Sequence, residues 1–414
     1  MKFANDKRGI FSAVLHWVSF GLMLWLGIRV ALFFRPEPTM DSKLYWELAY
    51  DLSIYHKGGL IGLWLLPLRW IGLEPYVAAL VMNGLCLFGL YYATWFNGLI
   101  DSTKRFALQL LLTVGATMFG FWFSGYLGII NADFTNVALI IMAMRSFHDY
   151  LIKNEKKHLI MGLLAMFFAI SFRVKTGLAL GGLIVYMALF GYKRLKKQKV
   201  VRLFVISLAV MLVFAAGVEI VLRVQSEAKI DVARQGRLQL YTGLLDTSVG
   251  PMCGRWTREA YDKTLEELDL SLVEVFQKHL GVKSKAYLFE IIKCKLNAIV
   301  QYTDFSYREI IPVGVQYRPV TSEDYSVIRK YEAIEHDLVV WFKWLVYFMM
   351  MMALILGFKD KMVGKTLPLV IYGGFLALHA VFEIQARYMV EPLMWAYFVG
   401  IFVISYHDFK HDRD

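Results

Sequence analysis

Three acidic and three basic side chains stand out because each sits at the edge of an apolar run. Asp41 follows the first long run, in Arg35-Pro-Glu-Pro-Thr-Met-Asp41-Ser-Lys-Leu-Tyr45-Trp46, and opens a helical pattern. Asp133 stands in Gly128-Ile-Ile-Asn-Ala-Asp133-Phe, at the start of another run. Glu383 stands in Glu383-Ile-Gln-Ala-Arg387-Tyr388, at the end of a third. A carboxylate close to a membrane surface is costly unless it has a partner or a task. Asp41 and Asp133 both read as helix N-caps, a position Asp favours. A cap also fixes where the carboxylate points, so capping and chemistry are compatible. Glu383 and Arg387, four apart, make an ordinary helical ion pair on the plainest reading. Arg173 and Lys175 form the tight hairpin Phe172-Arg-Val-Lys-Thr-Gly177. Snorkelling to headgroups explains either one alone. Together with Arg387 they could hold a phosphate at the membrane surface.

The elements that must position these residues are long apolar helices. Of 414 residues, 58% are hydrophobic and 19% charged, and the mean hydropathy is +0.49. Soluble domains hold roughly 45–50% apolar residues, and one core stops growing near ~250–300 residues. Three cysteines exclude a disulfide scaffold, and the hydrophobicity excludes a disordered or fibrous chain. The composition indicates an all-α polytopic membrane protein. Runs able to cross ~30 Å of hydrocarbon fall at about 10–34, 76–96, 106–123, 134–150, 159–172, 176–189, 203–222, 338–358, 367–382 and 390–406. The stretch 58–70 is apolar too, but Pro67 and Arg69 make it interfacial or re-entrant. The first run is too long for a signal-peptide core and reads as a retained span.

The net charge of +11 follows topology, not nucleic acid. Lys and Arg collect near the N-terminus and around 104–105, 153–157, 193–199 and 359–365. By the positive-inside rule these loops, and both termini, are cytoplasmic. Three parts follow: 1–222 with seven spans and a long outer loop 35–75, an outer mainly helical subdomain 223–337, and 338–414 with three spans and a short tail. The subdomain shows helical patterns at 265–280 and 283–302, and an oxidising side would permit a Cys253–Cys294 bridge. His407 and His411 lie in a charged tail, His56 and His336 lack ligand-like spacing, and no P-loop, dinucleotide fingerprint or nucleophile elbow occurs. No cofactor is indicated.

The arrangement resembles the GT-C glycosyltransferases, polytopic enzymes that use polyprenyl-phosphate sugars, among them protein mannosyltransferases and the enzyme that adds aminoarabinose to lipid A. Asp41 matches the acid after span one, Asp133 the acid of the second outer loop, and Lys175 the base after span five. Phe382-Glu-Ile-Gln-Ala-Arg-Tyr388, followed by Pro392, is similar to the Glu-x-x-x-Arg-Tyr…Pro signature of bacterial members. Leu240-Tyr-Thr-Gly-Leu-Leu-Asp-Thr-Ser-Val-Gly250 is similar to a Gly-Leu…Gly stretch of envelope members. Many relatives pair acids in the first loop, whereas Asp41 is followed here by Ser42 and Lys43, so a divalent metal is not indicated. The extended C-terminal soluble domain of some relatives is also missing.

The resemblance implies a hexose moved from undecaprenyl phosphate to a lipid-linked or lipopolysaccharide glycan such as O-antigen, at the outer face of a bacterial inner membrane. Asp41 is then the general base, with Asp133 and Glu383 orienting the acceptor or the basic groups. Arg173, Lys175 and Arg387 bind the donor phosphate, and Tyr45, Trp46, Tyr126 and Tyr388 line the sugar or acceptor pocket. Partners are the polyprenyl-linked sugar, the glycan acceptor and the bilayer. The competing readings are an envelope polysaccharide polymerase or ligase, and a transporter or flippase of lipid-linked sugar. Transporters tend to show repeats and midplane charges, and no repeat is visible here.

Overall fold

The computed structural model describes residues 2–34, 61–95, 103–153, 155–172, 270–279, 285–301, 322–360, 372–377 and 391–398, with single positions at 43, 45–47, 205–206, 209–210, 213, 217, 262, 266–267, 369 and 400–401. Among the described residues every regular element is helical, and no strand occurs. The elements are α1 (Lys2–Phe34), α2 (Ile61–Trp70), α3 (Pro75–Thr94), α4 (Thr103–Ser124), α5 (Ala132–Lys153), α6 (Lys156–Phe172), α7 (Leu272–His279), α8 (Lys285–Gln301) and α9 (Ser322–Asp360). Among the described residues three helices are long and apolar enough to cross a membrane: Arg8–Phe33 within α1, Pro75–Thr94, and Phe106–Ser124 within α4. They agree within a few residues with the first three expected spans. Helices α5 and α6 cover the next two.

Helix α1 shows why such a chain belongs in lipid. Its exposed face carries Ile10, Val14, Val18 and Trp25, while Ser12, His16 and Ser19 are buried. That is the reverse of a soluble helix, which turns its apolar stripe inward. Without a hydrophobic force between helices, polar side chains hold them together at about 0.6–2 kcal/mol per bond. His16 donates through Nε2 to the carbonyl of Tyr91 at 2.8 Å, and its Nδ1 meets Thr113 Oγ1 at 2.9 Å. Ser19 Oγ lies 2.8 Å from the Tyr91 hydroxyl and 2.5 Å from Thr117 Oγ1. These bonds tie α1 to α3 and α4, its packing partners.

Close packing continues through glycine. A Cβ on Gly115 would lie 2.3 Å from Tyr397 Cε1, so the bare backbone lets that ring in, and the Tyr397 hydroxyl donates to Leu111 O at 2.6 Å. Tyr397 belongs to the helical residues 391–398, and its ring meets Phe342 of α9 at 5.0 Å. Phe342 in turn meets Trp122 of α4 edge-on at 5.7 Å. The C-terminal part of the chain thus closes against α4.

Helix α9 runs unbroken for 39 residues, so the eighth expected span begins inside a helix and not after a loop. Helix α2 occupies the stretch read as interfacial, with Pro67 in its last turns. It ends in a Schellman motif: Leu73 N–H donates to Leu68 O (3.2 Å) and Gly72 N–H to Arg69 O (2.9 Å). Gly72 has φ +77°, a left-handed conformation that glycine adopts without Cβ strain. Glu74 then N-caps α3 by backbone geometry, with Pro75 at the first helical position, where its missing N–H costs nothing.

Candidate functional site

The connector 125–131 between α4 and α5 is the best-held turn among the described residues, and one amide holds it. Asn83 of α3 is fully buried. Its Nδ2 faces the carbonyls of Ile129 (2.9 Å), Leu127 (3.0 Å) and Tyr126 (3.2 Å). Its Oδ1 accepts from Thr135 Oγ1 at 3.1 Å. The Tyr126 carbonyl also accepts from Ile129 N–H at 2.9 Å; leaving the other two bare inside the bundle would cost about 1–3 kcal/mol each. The ring of Tyr126 stacks on Phe134 at 4.6 Å, and Phe123 meets the same ring at 5.3 Å.

This turn aims Asp133. The cap of α5 is Asn131, whose Oδ1 accepts from Asp133 N–H at 2.8 Å; that is the bond an N-cap side chain makes to the second helical residue. Asp133 was expected to cap and does not. Its carboxylate, 4% exposed, sits in the first turn, where the helix dipole favours negative charge. One turn further along the same face, Asn136 is fully buried and donates through Nδ2 to Glu391 Oε1 at 3.0 Å. Glu391 is 1% exposed. Two buried carboxylates thus meet one helical turn of α5, from parts of the chain 258 positions apart (391 − 133).

The first loop reaches the same end of the bundle. Tyr45 is buried in the main core and Trp46 packs against it. Arg69 of α2 donates to the Trp46 carbonyl and lies over its indole, 5.2 Å from the centroid. Trp64 of α2 meets Phe168 at 4.2 Å and lies parallel to Phe172 at 6.5 Å, and its Nε1–H donates to Ser171 Oγ at 3.3 Å. Phe172 is the residue before Arg173, so Trp64 fastens α2 to the helix end that precedes it. No family model matches this chain, and no curated protein does.

Of the residues expected at the site, Asp133, Tyr45, Trp46 and Tyr126 are described, and all four lie at this end. Tyr126 is 3% exposed and stacked on Phe134, so its ring acts first as support for the connector. Asp41, Arg173, Lys175, Glu383, Arg387 and Tyr388 lie outside the described residues. Glu391, Asn136 and Asn83 were missed. Glu391 carried a signal, since it opens the last apolar run directly before Pro392. Asn136 carried a weaker one, three residues after Asp133. Asn83 carried none beyond its polarity. Among the described residues no group of His, Cys, Asp or Glu is arranged to hold a metal.

The opposite end of α5 is built from charge. Asp149 accepts from Arg145 Nε at 3.1 Å and Lys153 Nζ at 3.4 Å, with His148 Nδ1 at 3.6 Å and His158 Nδ1 at 4.0 Å. Arg145 also donates to Ala93 O and Trp95 O at the C-terminal end of α3, where cations suit the dipole. This cluster staples α3, α5 and α6. Cys86 of α3 is free, whereas Cys294 of α8 is disulfide-bonded. Its expected partner, Cys253, lies outside the described residues.

Proposed function

We propose that this chain is an inverting GT-C-type glycosyltransferase of about ten spans, which moves one hexose from a polyprenyl phosphate to a lipid-linked or lipopolysaccharide glycan. The observation that carries the reading is the pair of buried carboxylates at one helical turn of α5: Asp133 on it, and Glu391, which accepts from Asn136 of that turn. Buried acids among membrane helices are costly and mark substrate sites. The connector end then faces the periplasm and the Asp149 end the cytoplasm of a bacterial inner membrane. Exposed Lys153, Lys156 and Lys157 at the Asp149 end support that orientation, as does the disulfide at Cys294 in the segment assigned outside.

In this reading an acceptor hydroxyl attacks the anomeric carbon and gives its proton to Asp41. The bond from that carbon to the phosphate oxygen breaks on the opposite side, so configuration inverts. The lipid phosphate leaves as an anion and needs only cations, supplied by Arg173, Lys175 and Arg387. Asp133, Glu391 and Glu383 orient the acceptor hydroxyls or the basic groups. Tyr45, Trp46, Tyr126 and Tyr388 surround the sugars.

The test is transfer in reconstituted vesicles supplied with labelled polyprenyl-phosphate hexoses and lipid-linked glycans. Wild type transfers label, and Asp41→Asn lowers the rate ~10²–10⁴-fold, the usual share of a general base. Label that crosses the bilayer without transfer would overturn this reading in favour of a flippase. Joining of whole glycan chains instead of single hexoses would point to a polymerase or ligase.

A further inference from the structure

Helix α8 is turned inside out for a helix in water. Its lysine Lys295 is fully buried, while Phe289 is 64% exposed and Ile292 and Leu296 are exposed as well. At 100° per residue its circumference divides into three sectors. Tyr287, Ile291, Cys294 and Lys295 form the sheltered one, none of them exposed. Ile292, Leu296 and Phe289 form the next, an apolar stripe with Lys285 at its start. Lys293, Asn297 and Glu290 form the third, exposed and polar, with Lys293 and Glu290 paired at 3.5 Å. Disulfide bonding at Cys294 fixes which side faces inward.

The helix therefore shows three kinds of surface, one sheltered, one exposed and apolar, and one exposed and polar. That is the pattern of a helix lying along a bilayer, with protein beside it, lipid beneath it and water above it. A helix packed on protein alone would need two sectors. The same chain carries three helices able to cross a membrane, so a bilayer surface is within reach. Lys285, exposed at the first turn, can bury its stem along the stripe and hold its ammonium among the headgroups.

We propose that α8 is an in-plane membrane helix, docked on the bilayer surface through Phe289, Ile292 and Leu296. It rests on the membrane character of the chain and not on the transferase reading. The docked helix holds residues 285–301 against the lipid surface.

The test places nitroxide labels on single cysteines in full-length protein carrying Cys86→Ser, reconstituted in phospholipid vesicles. Phe289→Cys, Ile292→Cys and Leu296→Cys report the stripe, with Glu290→Cys and Asn297→Cys as controls. The expected result is oxygen access with exclusion of a water-soluble nickel chelate at the first three, and the reverse at the two controls. Equal chelate access at all five positions would overturn the proposal. Shielding of the stripe from both reagents would overturn it too, in favour of a protein partner; spin–spin broadening would identify that partner as a second copy. All labelled positions are exposed, so folding is preserved. An intact disulfide and a monodisperse elution profile verify it for each variant.

Discussion

The two ends of α5 each bury an aspartate, and they solve the problem in opposite ways. At the lower end Asp149 is met by Arg145, Lys153, His148 and His158 within 4.0 Å. At the upper end Glu391 is held by the neutral amide of Asn136, and Asp133 occupies a turn capped by another amide, Asn131. A carboxylate matched by several cations has its charge spent on holding helices together. At the connector end the printed bonds come from amides: Asn131 takes the Asp133 backbone N–H and Asn136 donates to the Glu391 carboxylate. One helix of 22 residues thus carries a charge cluster at one end and amide-fastened acids at the other.

Removing the amide that ties the connector should have the largest effect. Asn83→Leu strips the amide donor from the Leu127 and Ile129 carbonyls, whereas Tyr126 O keeps Ile129 N–H and Thr135 Oγ1 keeps Asn131 O. It should lower stability by about 4 kcal/mol, since each bare buried group costs about 1–3 kcal/mol. Thermal unfolding in detergent measures this, and transfer activity should fall with it because the connector aims Asp133.

Lys295 of α8 is a buried charge outside the membrane-crossing helices. Burial pushes the Lys295 ammonium down from 10.5 to about 8. Between those values the unfolded chain binds a proton that the folded one has released, so stability rises with pH through this window. The rise amounts to about 3 kcal/mol at 1.36 kcal/mol per pH unit. Below pH 8 both states are protonated and the burial penalty is constant. Denaturant unfolding from pH 7 to 10.5 should show the rise in wild type and lose it in Lys295→Met.

The staple itself predicts a smaller effect. Arg145→Met leaves Asp149 with Lys153 and the two histidines, so the loss is about 2 kcal/mol, short of the 3–5 kcal/mol for stripping a buried ion of its one partner. Activity per folded molecule should be unchanged. A fall in turnover at constant folded fraction would mean that the two ends are coupled.

Much of the scaffold was legible from composition. Apolar runs at 10–34, 76–96 and 106–123 became α1, α3 and α4 because nothing in them competes with a lipid-facing helix. The patterns at 265–280 and 283–302 became the shorter α7 and α8. The site was legible only where a polar residue breaks an apolar run at its edge, as Asp133 does. Asn131 and Asp133 are both good capping residues two apart, and only the helix start tells them apart. Asn83 lies deep in a span, and its partners are 43–52 positions away; no local pattern encodes that distance. Glu391 was overshadowed by the Glu383–Tyr388 motif a few residues earlier. The long α9 was missed because charges at 322–337 read as a soluble loop, although helix propensity carries through them.

The most direct measurement compares Asp133→Asn with Asp149→Asn in the same vesicle assay, with rates normalised to folded protein. Asp133→Asn should keep near wild-type stability and lose most transfer. Asp149→Asn should lose stability and keep its turnover per folded molecule. If Asp133→Asn transfers hexose at the wild-type rate, or Asp149→Asn abolishes transfer while fully folded, the upper end is not the site and the account fails.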